Sequence, residues 1–524
     1  MPATTTIPDD TGAAEVRRTF RWSDMVALVT LALLVRIPAY FAPRALSFDD
    51  GVFSNSAVAM RAGGVPFRDV FSSQGPLFLP LVWLGDLVGF RTMDSPRVLA
   101  VVSGLVIVAA VYWTAAQMTD RCGALVAGAL AATSGGLAWV TVSLAADGPA
   151  LAFATLAVGL SVRQRNRPTT WGAVLIGLAV GATLSTKAME APVLVPVVLV
   201  LLAPLVADLR SRRSPTRSLL RGVVAALSAG AVFLAVSIPL GMTEVWDQSV
   251  RYRTDAAAQR DVLGNAAKLF STLWDRDLAV LFFAVVALVA GVVARRSTGR
   301  AATTVGALEG AAGTDGTATD ASWWSRRDWA GRDWAPSDRL LVTSWVVVSA
   351  LWLIVVVSPL WRPHVAAMAP PLVLLIGLYR PPWKLAVVAG VIAVPMAVVQ
   401  LDGLLAPAEY SGTEAEILAE LRQLPRDAWV ISDEPGVVWR AGLRTTDDLV
   451  DPSMLRRQQE RYTEQSLIDD ASDPRICAVV AISEQRFGHF GGLAEGLATE
   501  GFEPVAGVGD GSVLFVRQDC SAGS

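Results

Sequence analysis

The chain has 524 residues, 53% of them hydrophobic and 17% charged, with a mean hydropathy of +0.47. With glycine added, about three-fifths is apolar, more than one soluble core can hide, which excludes a soluble enzyme, a disordered chain and a disulfide scaffold. The 44 basic and 47 acidic residues nearly cancel, which gives no footing for a nucleic-acid partner and leaves the lipid bilayer as the solvent.

Residues 1–22 are polar, and the first apolar run, 25–41, follows Arg17, Arg18 and Arg21 without a small-residue cleavage site. It is therefore predicted to stay as a membrane helix rather than leave as a signal peptide. Further apolar runs at 98–118, 123–144, 149–162, 171–185, 191–206, 219–240, 278–293, 340–357, 365–378 and 385–399 bring the expectation to about eleven spans within a membrane domain at 23–403. The run 76–90 is ambiguous, because it is apolar but carries Asp86. If it does not cross, the arginine clusters at 163–167, 210–217, 295–296 and 326–327, with Arg380 and Lys384, join Arg17 and Arg18 on the cytoplasmic side. The positive-inside rule prefers that arrangement, so 76–90 is read as a juxtamembrane helix in a long first external loop.

The same topology puts the N-terminus in the cytoplasm, with a flexible cytoplasmic loop at 295–337 that includes a Trp/Arg-rich interfacial patch at 323–334. Residues 404–524 fall outside, and the expected location is the plasma membrane. In this tail 414–421 looks helical, "AWVIS" and "ICAVVAIS" read as buried strands, and "PVAGVGDGSVLFV" reads as a hairpin. A small extracytoplasmic α/β domain is expected there. Cys477 and Cys520 both lie in it, where a disulfide is permitted; the alternative is two unrelated cysteines. Cys122 falls on a cytoplasmic turn.

Ionisable residues near membrane segments are costly and are usually functional. Here they gather on the outer side: Asp49 and Asp50 in "SFDDG", Asp147 in "SLAADGPA", Lys187 and Glu190 in "STKAMEAP", and Arg362 and His364 in "SPLWRPHVAAMAPP". Arg36 lies near the outer end of the first span, and Arg68, Asp69 and Gln74 sit in "GGVPFRDVFSSQGPL". Carboxylates at such a place can act as a general base or ligate a divalent cation, and the cations can hold a phosphate. Structural alternatives stand beside each: a helix cap for Asp147, a snorkelling Arg36, a surface pair of Lys187 with Glu190, a packing His364 and a turn residue at Asp69.

These residues resemble the pattern of the GT-C superfamily of membrane glycosyltransferases, especially protein O-mannosyltransferases and aminoarabinose transferases. An acidic pair after the first span, juxtamembrane helices and a second external acid recur there in the order of Asp49/Asp50, 76–90 and Asp147. "GGVPFRDV", "SPRVLAVVSGL", "LSTKAMEAP" and "RPHVAAMAPPLVLL" are similar to further stretches of that family, over about residues 20–400. Two departures stand out. The acidic pair is Asp-Asp rather than Asp-Glu, and "SQGPL" replaces the Lys-Pro-Pro-Leu of the aminoarabinose branch, so Gln74 brings no positive charge.

The resemblance implies inverting transfer of a sugar from a polyprenyl-phosphate donor to a hydroxyl of a glycan, glycolipid or protein acceptor. Asp49 would be the general base. Asp147, with or without Asp50, would orient the acceptor or join Asp49 on a divalent cation. Arg36, Lys187, Arg362 and His364 would hold the departing phosphate, and Arg68, Asp69 and Gln74 would belong to a substrate loop. The competing readings are a polytopic transporter or flippase, which calls for repeats and midplane charges that this sequence does not show, and a membrane scaffold that binds cell-wall polymers.

Overall fold

The computed structural model describes residues 20–41, 47–256, 261–309, 337–379, 383–405, 412–505, 508 and 513–520. The tryptophan-rich patch at 323–334 and the basic residues Arg17, Arg18, Arg326, Arg327 and Arg380 lie outside the described residues. The chain is a helical membrane protein with a small α/β domain at its C-terminal end. In order, the helices that carry the argument are α1 (Trp22–Phe41), α2 (Phe48–Arg61), α3 (Phe78–Val88), α4 (Val98–Met118), α5 (Arg121–Thr133), α6 (Gly135–Val140), α7 (Asp147–Asn166), α8 (Thr170–Thr186), α9 (Leu194–Arg210), α10 (Thr216–Leu240), α11 (Val262–Glu309), α12 (Asp338–Val355), α13 (Ala369–Tyr379) and α14 (Trp383–Leu405).

Among the described residues, five segments are each long and apolar enough to cross a membrane: Trp22–Phe41, Ser95–Met118, Ala188–Arg210, Thr216–Leu240 and Asp338–Val355. The bundle buries small and branched residues such as Ile107, Val111, Leu137, Leu151, Val158 and Ile176. Its outer surface carries Leu227, Ile238, Val391 and Val399, each well exposed. Apolar residues on the outside of a packed bundle suit lipid rather than water.

Three details differ from the sequence reading or refine it. The run 123–144 is broken at Ser134, whose side chain caps α6 by accepting from Leu137 N. Asp277 breaks α11 opposite it, with φ −130° and ψ 32°. Its carboxylate accepts from Ser134 Oγ at 2.6 Å and from Gly136 N at 3.3 Å, so two helix interruptions satisfy one another. Helix α11 also continues to Glu309, so the first part of the expected flexible loop is helical; its Arg-Ala-Ala and Gly-Ala-Leu-Glu stretches hold good helix formers.

The run 76–90 contains α3, only 11 residues long and too short for a crossing. Asp86 on it is buried and takes a bidentate pair from Arg61, with Nε to Oδ2 at 2.8 Å, and Ser95 Oγ also donates to it. This ties α3 to α2 and explains an acid in an apolar helix.

The C-terminal domain holds a four-stranded sheet of order β1-β2-β4-β3, with β1 (Trp429–Ser432), β2 (Ile476–Val480), β3 (Phe502–Pro504) and β4 (Leu514–Arg517). The first two run parallel; β4 is antiparallel to β2 and to β3. Cys477 on β2 and Cys520 after β4 form a disulfide, which pins the last strand to the sheet. Cys122 is free and exposed.

This domain packs on α2. Helix α15 (Pro435–Ala441) lies so close that a Cβ on Gly51 would overlap the backbone of Gly436. Asn55 Nδ2 donates to Pro435 O at 2.7 Å across the same contact, and Arg440 pairs with Asp94 at 3.1 Å. Gly51→Val should therefore push the two parts apart at a cost of about 1–3 kcal/mol. The check is the thermal midpoint of the purified protein and protease release of the C-terminal domain; an unchanged midpoint and cleavage pattern would contradict this packing.

Candidate active site

A cavity of about 430 Å³ opens where the helical bundle meets the C-terminal domain. Its floor is built by loop ends that the bundle brings to one level. Segment 75–77 is laid against the end of α8, with Gly75 N donating to Thr186 O at 3.1 Å and Leu77 N to Ser185 O at 2.8 Å. Gly75 is required there, because a Cβ would meet the Ser185 carbonyl. Immediately after that contact comes Lys187, whose extended backbone (φ −155°, ψ 111°) ends the helix and turns its side chain inward.

Lys187 Nζ donates to Asp147 Oδ2 at 2.6 Å, and both side chains are buried. His364 Nδ1 lies 3.1 Å from Asp147 Oδ1 and 3.2 Å from Lys187 Nζ. All three, brought from separate loops, line the cavity with Asp49 and Gln74. Asp147 heads α7 but holds partners on other segments, so it is more than a helix cap.

The two acids of "SFDDG" part ways. Asp50 closes a capping box with Ser47, accepts from Leu144 N at 2.6 Å and lies 3.6 Å from Arg97 Nε. It is fully buried, is absent from the cavity wall and is a structural residue, contrary to the expected catalytic role. Asp49 is one helix step away and faces the cavity. Burial raises its pKa to about 7; Lys187 opposes that shift, while the acids at 147, 451 and 50 add to it.

Other expectations are corrected by position. Arg36 is fully buried inside the bundle, donating to Thr141 Oγ1 at 2.7 Å and to the Ala32 and Ala132 carbonyls, and it does not reach the cavity. Two buried carbonyls and the Thr141 hydroxyl, rather than a phosphate, accept its hydrogen bonds. Arg362 is half exposed and pairs with Asp275 at 3.3 Å, while its neighbours Trp361, Pro363 and His364 form the wall. Asp69 accepts from Val65 N at 2.7 Å as a turn residue, and Arg68 is exposed; neither lines the cavity. Glu190 is buried on the turn after Lys187.

Sequence reading missed four charged residues of the wall. Arg253 donates to Ser73 O and Oγ, both at 3.2 Å, and Arg276 lies over the Trp139 ring at 4.4 Å. Asp451 and Arg486 come from the C-terminal domain. The "WDRD" just before a predicted span was the available signal for Arg276; nothing local marked the other three.

The expected metal pair, Asp49 with Asp147, does not fit a divalent ion. Both oxygens of Asp147 are engaged, one by an ammonium that stands where a cation would stand. Among the described residues no three His, Cys, Asp or Glu side chains gather as ligands.

A family model described as dolichyl-phosphate-mannose-protein mannosyltransferase matches residues 73–241, which include Gln74, Asp147 and Lys187. No curated protein is significantly similar in sequence. The apo structure of ArnT from Cupriavidus metallidurans is 13% identical with a TM-score of 0.58, over 95% of this chain and 98% of that one. ArnT from the same organism bound to undecaprenyl phosphate is 14% identical with a TM-score of 0.53, over 98% and 100%. The archaeal oligosaccharyltransferase AglB from Archaeoglobus fulgidus, in complex with an inhibitory peptide and a dolichol-phosphate, is 11% identical with a TM-score of 0.53, over 92% and 72%. The chain shares the GT-C fold of these structures, and the family match falls within its membrane part.

Breaking one partner of a buried ion pair costs about 3–5 kcal/mol, because the other charge is left without compensation. Lys187→Met should lower the unfolding midpoint in detergent accordingly, and the double variant Asp147→Asn/Lys187→Met should recover most of the loss. A double variant no better than the single one would show that the pair does not act as a unit.

Proposed function

We propose that this protein transfers a sugar from a polyprenyl-phosphate donor to an acceptor hydroxyl, with inversion, at the outer face of the membrane. The observation that carries the reading is the shared cavity: a carboxylate with a pKa near neutrality faces a set of cations at the boundary of an apolar bundle. The relatives of this fold bound to undecaprenyl phosphate and dolichol-phosphate support the donor class. The arginine distribution in the sequence supports a cytoplasmic N-terminus, and the plasma membrane is the location proposed with it.

In the proposed reaction the acceptor oxygen attacks the anomeric carbon while Asp49 takes the hydroxyl proton. The bond between that carbon and the phosphate oxygen breaks, and its electron pair leaves with the polyprenyl phosphate. Lys187, Arg253 and Arg276 face the negative charge that develops there. Asp147 and His364 hold Lys187 in place. Trp139 and Trp361 give the sugar and the first isoprene unit flat apolar surfaces. With the Lys187 ammonium on Asp147, the proposed reaction calls on no metal at that carboxylate.

A transporter would instead place its charges at the bilayer midplane between repeated halves. Here the charges lie at one end of the bundle, under a folded domain.

Three outcomes are expected. Asp49→Asn should lower transfer at least about 10²-fold with the protein still folded. A general base must be ionised, so kcat/KM should rise with pH and level off above about 7, following the raised pKa of Asp49. EDTA should leave the rate unchanged. A fully active Asp49→Asn enzyme, a rate that falls as pH rises from about 5 to about 7, or dependence on added Mn²⁺ would each contradict the corresponding step.

A further inference from the structure

One wall of the cavity belongs to the C-terminal domain. Strands β1 and β2 are parallel neighbours, and the turn beyond the carboxyl end of β2 faces the bundle. In open α/β sheets that edge is where ligands bind. Just after β1, Asp433 is fully buried and accepts from Ile482 N at 2.9 Å, Ser483 N at 2.8 Å and Phe487 N at 3.3 Å. Its carboxylate thus fixes the turn after β2 that presents Ser483, Gln485 and Arg486 to the cavity. Glu434 pairs with Arg486 at 3.0 Å, and the Arg486 guanidinium lies over Phe48 at 4.5 Å, beside the proposed base.

A second segment arrives from residues 451–455. Asp451 accepts from Ser453 N at 3.1 Å, and Ser453 Oγ lies 3.2 Å from the Tyr252 hydroxyl. Arg456 anchors this turn by donating to the Asp448 and Asp451 carbonyls, with its guanidinium over Phe71 at 4.1 Å. The domain is therefore latched to the membrane loops on both sides of the cavity.

The two walls differ in charge. The bundle side holds three cations, Lys187, Arg253 and Arg276, beside the acids Asp49 and Asp147. The domain side holds Asp451, an arginine already neutralised by Glu434, and the neutral groups of Ser453, Ser483 and Gln485. Resting on the transferase reading above, we infer that the C-terminal domain is the acceptor-binding wall, and that it takes an uncharged sugar whose hydroxyls meet Asp451, Ser453 and Gln485. A phosphorylated acceptor would meet Asp451 unfavourably. A peptide added to the sheet needs an unpaired strand edge, and the wall consists of turns and a short helix instead.

The test uses the full-length protein in detergent with an undecaprenyl-phosphate-linked hexose. Two rates are followed: transfer to methyl glycosides and release of the sugar to water. Transfer to glycosides is expected, with none to a Ser/Thr peptide or a phosphoglycolipid. Asp451→Asn and Gln485→Ala should each lower the ratio of transfer to hydrolysis by about tenfold, through a higher acceptor KM. Transfer to the peptide or the phosphoglycolipid with glycosides inert, or an unchanged ratio in both variants, would overturn this wall and leave the transferase reading standing. A wild-type protein that neither transfers nor hydrolyses would overturn the transferase reading and this inference with it.

Discussion

The ion pair of Lys187 with Asp147 is the constraint on which the site depends. Two charges buried at the edge of an apolar bundle cost several kcal/mol each in desolvation, and only close mutual contact offsets that. The pair joins the end of α8 to the start of α7, and His364 adds the turn before α13. Three loops that are far apart in sequence are thereby fixed at one level. The Gly75 strap and the buried Arg61–Asp86 pair then bring α2 and α3 to that level, and α2 carries Asp49.

Close backbone contact does the same work on the other side. Glycine at 51 lets α2 meet the C-terminal domain without an intervening side chain, so the helix that bears Asp49 also bears the domain. The cavity is consequently shared between a membrane part and a soluble part. In the proposed reaction the cations of the membrane part face the phosphate and the polar groups of the C-terminal domain face the acceptor.

Much of this was legible in the sequence, for physical reasons. Apolar runs and arginine clusters show the membrane domain, because lipid demands them. Strand patterning shows the C-terminal domain, and the cysteine pair permits the disulfide that the structure forms. Asp49, Asp147, Lys187 and His364 stood out because charges are rare beside apolar spans. The same logic misplaced Arg36 and Asp50: a buried charge is conspicuous in sequence whether it serves folding or chemistry, and only the partners of each separate the two. The Asp50 oxygens meet Ser47, Leu144 and Arg97, and Arg36 donates to Thr141 and to two backbone carbonyls. Asp451 and Arg486 were illegible, since they lie on ordinary polar turns and reach the site only through tertiary packing.

The most direct test of the account is a structure of the protein with a bound undecaprenyl-phosphate sugar. The phosphate should lie within hydrogen-bond reach of Lys187 and of Arg253 or Arg276, with Asp49 on the opposite side of the anomeric carbon. A phosphate bound elsewhere on the bundle, or one that places Asp49 on the same side as the leaving oxygen, would contradict it.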